Sequence, residues 1–415
     1  VHLNDVDAVL RDRLLAHHPA PLAVAFSGGG DSLALLLAAH AWAQDNGRTL
    51  LALTLDHGLQ VESAAWAAAC AATAARLGIA CRTLAWTGPK PDHGLPAAAR
   101  AARHQRLADA ARAAGARVLL MGHTGDDVLE ARAMRQAGAT TPEPRVWAPS
   151  PAWPQGRGLF LLRPLLGQRR AAIRHWLAAR GESWIDDPAN ADPRYARPRA
   201  RAAQGDVPAP DPAPPPADAA PLAQACRADV GGALRIPRDL LRSVEGAAAR
   251  RFLAAACLCA AGTARPSRSD RLQRLTAQAL GPEPFVATLA GARIESDGIA
   301  LYFAREPGEA ARGGLRSADL PVGEALVWDG RFELTATRPG LRVRPLAGLS
   351  RRLSPAEHRR LLALPAAGRG GLPAILDEEG RPCCPVLAPV AGLAVRALSH
   401  ERLLAACGAV TRETA

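Results

Sequence analysis

An apolar run from Leu22 to Phe26 breaks directly into Ser27-Gly28-Gly29-Gly30-Asp31-Ser32, and Leu33 to Leu37 follow without a gap. The run reads as a buried strand, and Ser32 to Trp42, rich in Leu and Ala, reads as the helix after it. Three consecutive glycines between them let backbone amides turn inward with no side chain in the way, and the helix start adds further unpaired N–H groups. A concavity of that kind suits phosphate oxygens. Without a Gly-Lys-Ser/Thr or a G-x-G-x-x-G spacing, neither a nucleotide-hydrolysing P-loop nor a dinucleotide fingerprint fits.

The surrounding chain repeats the strand-then-helix pattern. Strands are expected over Leu50 to Leu55, Ile79 to Trp86, Val118 to Met121 and Leu159 to Leu162. Helices are expected over Glu62 to Leu77, Leu95 to Ala114, the stretch ending at Gln136, and Arg170 to Arg180. Such β-α units with apolar, unalternating strands predict an α/β fold on a parallel sheet covered on both faces. Ligands of such sheets collect beyond the carboxyl ends of the strands. The glycine loop, Asp56-His57 and His123 to Asp127 all fall there, so one cleft is expected to hold them. Asp126 and Glu130 are spaced i,i+4, and Arg100 and Arg103 lie about a turn apart, so each pair shares a helix face.

Farther on, Gln204 to Pro221 is Pro/Ala-rich and reads as a tether. The expected domains are residues 1–203, a linker 204–222, a mainly helical part 223–310 and a smaller α+β part 311–415. In those later parts Gly291 to Phe303 and Ala325 to Thr337 are patterned as hairpins. A formal net charge of +12 favours a polyanionic partner, nucleic acid above all. Arginine carries that charge, since Lys90 is the chain's one lysine. The eight cysteines form no C-x-x-C, which points to buried thiols in a reducing compartment. With no signal-peptide pattern and no apolar run of about 18 residues, a cytoplasmic protein without membrane contact is expected.

Ser27 to Ser32 resembles the S-G-G-x-D-S signature of the PP-loop ATP pyrophosphatases (an adenine nucleotide α-hydrolase-like fold). Further motifs narrow the resemblance to the tRNA(Ile)-lysidine synthetases. Leu55-Asp56-His57-Gly58-Leu59 is similar to their L-D-H-G-L, and Ala99 to Arg103 to their A-R-x-x-R, with His104 where Tyr is usual. Gly122 to Glu130 is similar to G-H-x-x-D-D-x-x-E, Arg163 to Leu166 to R-P-L-L, and Trp184 to Arg201 to their W-x-x-D-x-x-N-x-D-x-x-Y-x-R-x-x-x-R. Gly125 and Val128-Leu129 depart from the commoner residues, and a Pro/Trp-rich stretch replaces a Gly-rich basic segment.

The resemblance implies ATP, Mg²⁺, L-lysine and an isoleucine tRNA with a CAU anticodon as ligands, and lysidine, AMP and pyrophosphate as products. It implies ATP contacts from Ser27, Gly28, Gly29, Gly30, Asp31, Ser32, Asp56 and His57, and Mg²⁺ at Asp31 or Asp127. Arg100 or Arg103 would meet the α-phosphate, and Asp126, Asp127 and Glu130, with Asp31, would serve the chemistry. Arg194, Tyr195, Arg197, Arg199 and Arg201 form a basic, aromatic-containing strip suited to RNA. A tRNA-thiolating PP-loop enzyme is the nearest rival, and it would need paired cysteines. A small-metabolite amide ligase and a catalytically dead RNA-binding module are others.

Overall fold

The computed structural model describes residues 4–138, 143–187, 217–266, 268–309 and 315–415. They fall into two compact units, one of residues 4–187 with Val410–Ala415, the other running from 217 to Ala409.

The first unit is built on a six-stranded sheet of order β3-β2-β1-β4-β6-β5. Its strands are β1 (Leu22–Ala25), β2 (Leu50–Asp56), β3 (Ala80–Ala85), β4 (Val118–Leu120), β5 (Trp147–Pro149) and β6 (Phe160–Leu162). All pairings are parallel except that of β5 with β6, which puts one antiparallel strand at the edge. The helices are α1 (Asn4–Arg13), α2 (Gly30–Asp45), α3 (Ser63–Arg76), α4 (Leu95–Ala113), α5 (Gly125–Gln136) and α6 (Arg170–Ala178).

Leu and Ala make the two cores. Leu33, Leu36, Ala74, Ile173 and Trp176 cover one sheet face with Val6 and Leu10 of α1, while Leu107, Ala108 and Ala111 of α4 cover the other. Small alanines let α4 lie close on the sheet, which a chain poor in aromatics requires. Because β2 and β4 flank β1 on opposite sides, the chain reverses its direction of travel across the sheet at β1. The crevice at that switch point opens beside the glycine loop.

The second unit starts earlier than expected. Ala219 and Leu222 are fully buried in its core, and a helix already runs from Ala220 to Ala225, so the end of the expected linker belongs to the packed unit. The part from 223 to 310 holds the long helices Gly246–Ala261 and Ser269–Leu280, but also a five-stranded antiparallel sheet. Both expected hairpins are there, pairing 292–296 with 300–305 and 325–328 with 332–336. All eight cysteines are free thiols. Among the described residues no helix is long and apolar enough to cross a membrane.

Candidate active site

A cleft of about 270 Å³ opens where β1, β2 and β4 end. Its floor is the loop Ser27–Ser32, with Gly28 omitted from the lining. The N-cap of α2 is Gly29, which offers no side chain to the first turn, so the helix begins with its amides uncapped. Ser32 ties the loop to itself: its hydroxyl donates to the Gly29 carbonyl (2.9 Å) and accepts from the Ser27 amide (3.2 Å).

Two glycines are required by what surrounds them. Gly28 has φ +80°, and a Cβ there would come within 2.5 Å of Ile185 Cδ1 and 2.9 Å of Cys70 Sγ. The Ile185 amide also donates to the Gly28 carbonyl at 3.0 Å, which seats the 184–186 segment on the loop. Gly122, at the end of β4, lies so close to α2 that a Cβ would come 3.2 Å from backbone atoms of Asp31 and Ser32.

One wall is acidic. Asp31 from α2 and Asp127 from α5 both line the cleft, as does Arg170, the first residue of α6. Arg170 donates from Nε to Asp31 (2.9 Å) and from Nη1 to Glu130 (3.3 Å), and its Nη2 lies 3.6 Å from Asp127. Burial pushes the Asp31 carboxyl up, and Arg170 offsets part of that. Burial alone would disfavour the Arg170 charge, but its carboxylate neighbours outweigh it and raise its pKa. Asp127 also closes the start of α5, accepting from the Thr124 amide (2.8 Å) and hydroxyl (3.2 Å).

The opposite side is basic. Arg103 lines the cleft on the same α4 stripe as Leu107, and His123 and His57 join it. Arg163 is nearly buried, donating to His123 Nδ1 (3.2 Å) and to the Arg145 carbonyl (2.9 Å). Its pKa is pushed down to about 10 by burial and by the Arg100 charge. Burial and the Arg103 charge hold His57 below its usual value. His104, buried beneath these arginines, is pushed down to about 3, first by burial and then by Arg103 and Arg100. It is a neutral imidazole.

Several expected site residues stand elsewhere. Asp126 does not line the cleft; it faces α6, accepting from the Arg170 amide (2.7 Å) and from Arg169 Nη2 (3.0 Å), so it caps that helix. Glu130, buried, is also absent from the lining and meets the cleft through Arg170. Asp56 turns back on its own loop, where Ser63 and then the Gly58 amide (2.8 Å) hold its carboxyl low. Arg100 is absent from the lining, and its charge reaches the site through Arg163 and His104. Arg194, Tyr195, Arg197, Arg199 and Arg201 lie outside the described residues. Conversely, Arg170 was not among the expected site residues: in the sequence it is one arginine among many, with only its place at a helix start to single it out.

Among the described residues no group of three or more His, Cys, Asp or Glu side chains is arranged as a metal cage. Asp31 and Asp127, lining one cleft beside the phosphate loop, instead match the way Mg²⁺ is bound by one or two carboxylates together with substrate phosphates. Cys70 and Cys81 do not line the cleft, and burial raises both thiols away from the reactive thiolate.

A family described as the PP-loop domain matches residues 5–205. The tRNA(Ile)-lysidine synthase of Caulobacter vibrioides is 50% identical over 380 residues, covering 92% of this chain and 90% of that one. The chain belongs to the tRNA(Ile)-lysidine synthase family. The Rhizobium meliloti member is 36% identical over 406 residues, covering 90% of this chain and 83% of its own. Among solved structures, the U34-tRNA thiolase NcsA of Methanococcus maripaludis overlaps 48% of this chain and 71% of its own, at 16% identity and a TM-score of 0.39.

Proposed function

We propose that this cleft joins L-lysine to the 2-position of the wobble cytidine of isoleucine tRNA, through an adenylated base, in the cytoplasm and without a membrane. The chain is an ATP-using ligase that forms a carbon–nitrogen bond on tRNA(Ile). In the first step the O2 atom of the cytidine attacks the α-phosphorus of ATP; that P–O bond forms as the bond to the β-phosphate oxygen breaks and pyrophosphate leaves. In the second, the lysine amine bonds to C2, the C2–O bond breaks, and AMP departs with the oxygen.

Pyrophosphate carries concentrated charge away. The uncapped amides at the start of α2, with the Ser27 hydroxyl, stabilise it as it forms, while the Ser32 hydroxyl, spent on the Gly29 carbonyl, holds the loop in shape. Arg103, with His123 oriented by Arg163, is placed to meet the α-phosphate from the other wall, while His57 faces the nucleotide. Asp31 and Asp127 would hold Mg²⁺ against the phosphates, where it supplies positive charge for the leaving group.

The lysine ammonium has to be held and to lose a proton before its nitrogen can attack. Asp127, which lines the cleft, is the carboxylate that accepts it, and Glu130, buried outside the lining, acts by holding Arg170. Asp126 and Arg100 act at one remove, Asp126 by fixing α6 and Arg100 by its charge on Arg163. The strip Arg194 to Arg201 binds tRNA phosphates and a stacked base, and residues 311–415 add further contacts to the tRNA.

The observation that carries this reading is the uncapped phosphate loop sharing one small cleft with a carboxylate wall and an arginine wall. The test supplies protein, Mg-ATP, labelled L-lysine and isoleucine tRNA with a CAU anticodon. Lysine entering that RNA with AMP formed is the expected result, and methionine tRNA sharing the anticodon should stay unlabelled. Equal labelling of both tRNAs, or none of either, would overturn it.

A further inference from the structure

We infer that Arg170 is a positioning residue for the lysine-transfer step, anchored on the buried Glu130 and fixing Asp127, the α5 carboxylate that receives the lysine ammonium, at a set place relative to Asp31 and the phosphate loop. The inference rests on the function proposed above and adds to it a residue and a division of labour between the two half-reactions.

The geometry is that of a tie between separate helices. Asp31 belongs to α2, which begins at the phosphate loop, whereas Asp127 and Glu130 belong to α5, which follows β4. Nothing in the chain's covalent course fixes one set against the other. The guanidinium of Arg170 meets both, with its Nε toward Asp31 and its two terminal nitrogens toward Glu130 and Asp127. A planar fork with donors at fixed angles sets direction as well as distance, which a single ammonium cannot do.

Arg170 is itself held. Its backbone amide donates to Asp126 at 2.7 Å, and Arg169 grips the other oxygen of the same carboxylate at 3.0 Å. Asp126 stands beside Asp127 in the first turn of α5. The helix that carries the lysine-accepting Asp127 therefore also clamps the root of the arginine that orients it. Glu130 is only 1% exposed, so its carboxylate has little freedom to find another pose without bringing its partner along. The backbone of the phosphate loop is set by the Ser27–Ser32–Gly29 hydrogen bonds and by Ile185, and Arg170 touches that loop through the Asp31 side chain alone.

Two rates distinguish a positioning role from a general one. With lysine withheld, the first half-reaction is followed as transfer of α-labelled AMP from ATP to tRNA(Ile). The second is followed by adding lysine to that adenylated RNA on the enzyme and measuring the KM for lysine and the transfer rate.

In Arg170→Gln, kcat/KM for lysine is expected to fall at least about a hundredfold, largely through KM, and adenylation, which Arg170 touches through Asp31, by a smaller factor. Arg170→Lys restores the charge but not the fork, so its lysine KM should lie between those of Gln and parent. Equal losses in both half-reactions for the two variants, or a lysine KM unchanged in both, would overturn the inference. If Arg170→Gln does not fold, Arg170→Lys alone decides: a parental lysine KM sinks the idea. Failure of the parent to adenylate tRNA at all would count against the proposed function instead.

Discussion

Replacing Gly28 with alanine tests how the phosphate loop is held open. The backbone there has φ +80°, a conformation that costs a residue with a Cβ about 1–2 kcal/mol. The new methyl would also press on Ile185 at 2.5 Å and Cys70 at 2.9 Å. Overpacking of that degree costs about 1–3 kcal/mol more, so Gly28→Ala should lose roughly 2–5 kcal/mol. The neighbouring glycine supplies the control. Gly29 has φ −69°, and a Cβ there meets nothing closer than 3.8 Å, so Gly29→Ala should fold within about 0.5 kcal/mol of the parent. Thermal unfolding reads the difference, as a fall of at least about 4 °C in Tm for Gly28→Ala at the sensitivity usual for a unit of this size. ATP titration reads the function, and affinity should drop at least about tenfold because the loop relieves the clash only by moving its amides out of convergence. A Gly28→Ala protein with parental Tm and parental ATP affinity would refute the reasoning.

Two stability predictions and one on activity complete the set. Glu413 and Arg48 form a bidentate pair at 2.8 and 2.9 Å with both side chains fully buried, so Glu413→Ala strands a buried charge and should cost about 3–5 kcal/mol in chemical denaturation; a loss under about 1 kcal/mol would contradict it. His104 has a folded pKa near 3 against 6.5 when unfolded, so the unfolded chain binds the extra proton between those values. The stability it permits is whole above pH 6.5 and drains away as the pH falls towards 3. At pH 5 the loss is about 2 kcal/mol, and His104→Phe should lose that much less than the parent between pH 7 and 5; parallel pH–stability curves would disprove it. Asp127→Asn should slow overall lysine incorporation by about 10²–10⁴-fold with the chain still folded, checked by steady-state assay beside circular dichroism.

The strands and helices around the cleft were legible because each is an apolar or Leu/Ala-rich run ended by Gly or polar residues; β2 and α4 fall within a residue of expectation, and α5 ends at Gln136 as expected. Two elements were not read. β5 is three residues ending in proline, and its antiparallel pairing with β6 depends on a chain reversal that no local pattern encodes. α1 did carry a signal, since Val6, Leu10 and Leu14 recur at helical spacing and all three are buried, but so short a stripe declares itself only against a sheet.

At the site, residue type was legible and direction was not. Asp126 and Asp127 are adjacent and chemically identical, yet a 100° step around the helix sends one to cap α6 and the other into the cleft. Asp56 and His57, adjacent at the end of β2, also part in function, because the Gly58 turn draws the aspartate back. Arg170 became visible only when α2, α5 and α6 were brought together.

The most direct test of the account is the fate of AMP when lysine is absent. With ATP labelled at the α-phosphate and isoleucine tRNA as the only acceptor, label should enter the RNA at the wobble cytidine. It should then leave as free AMP, one for each lysine incorporated, once lysine is added. Lysine incorporation proceeding while the RNA never carries label would contradict the account.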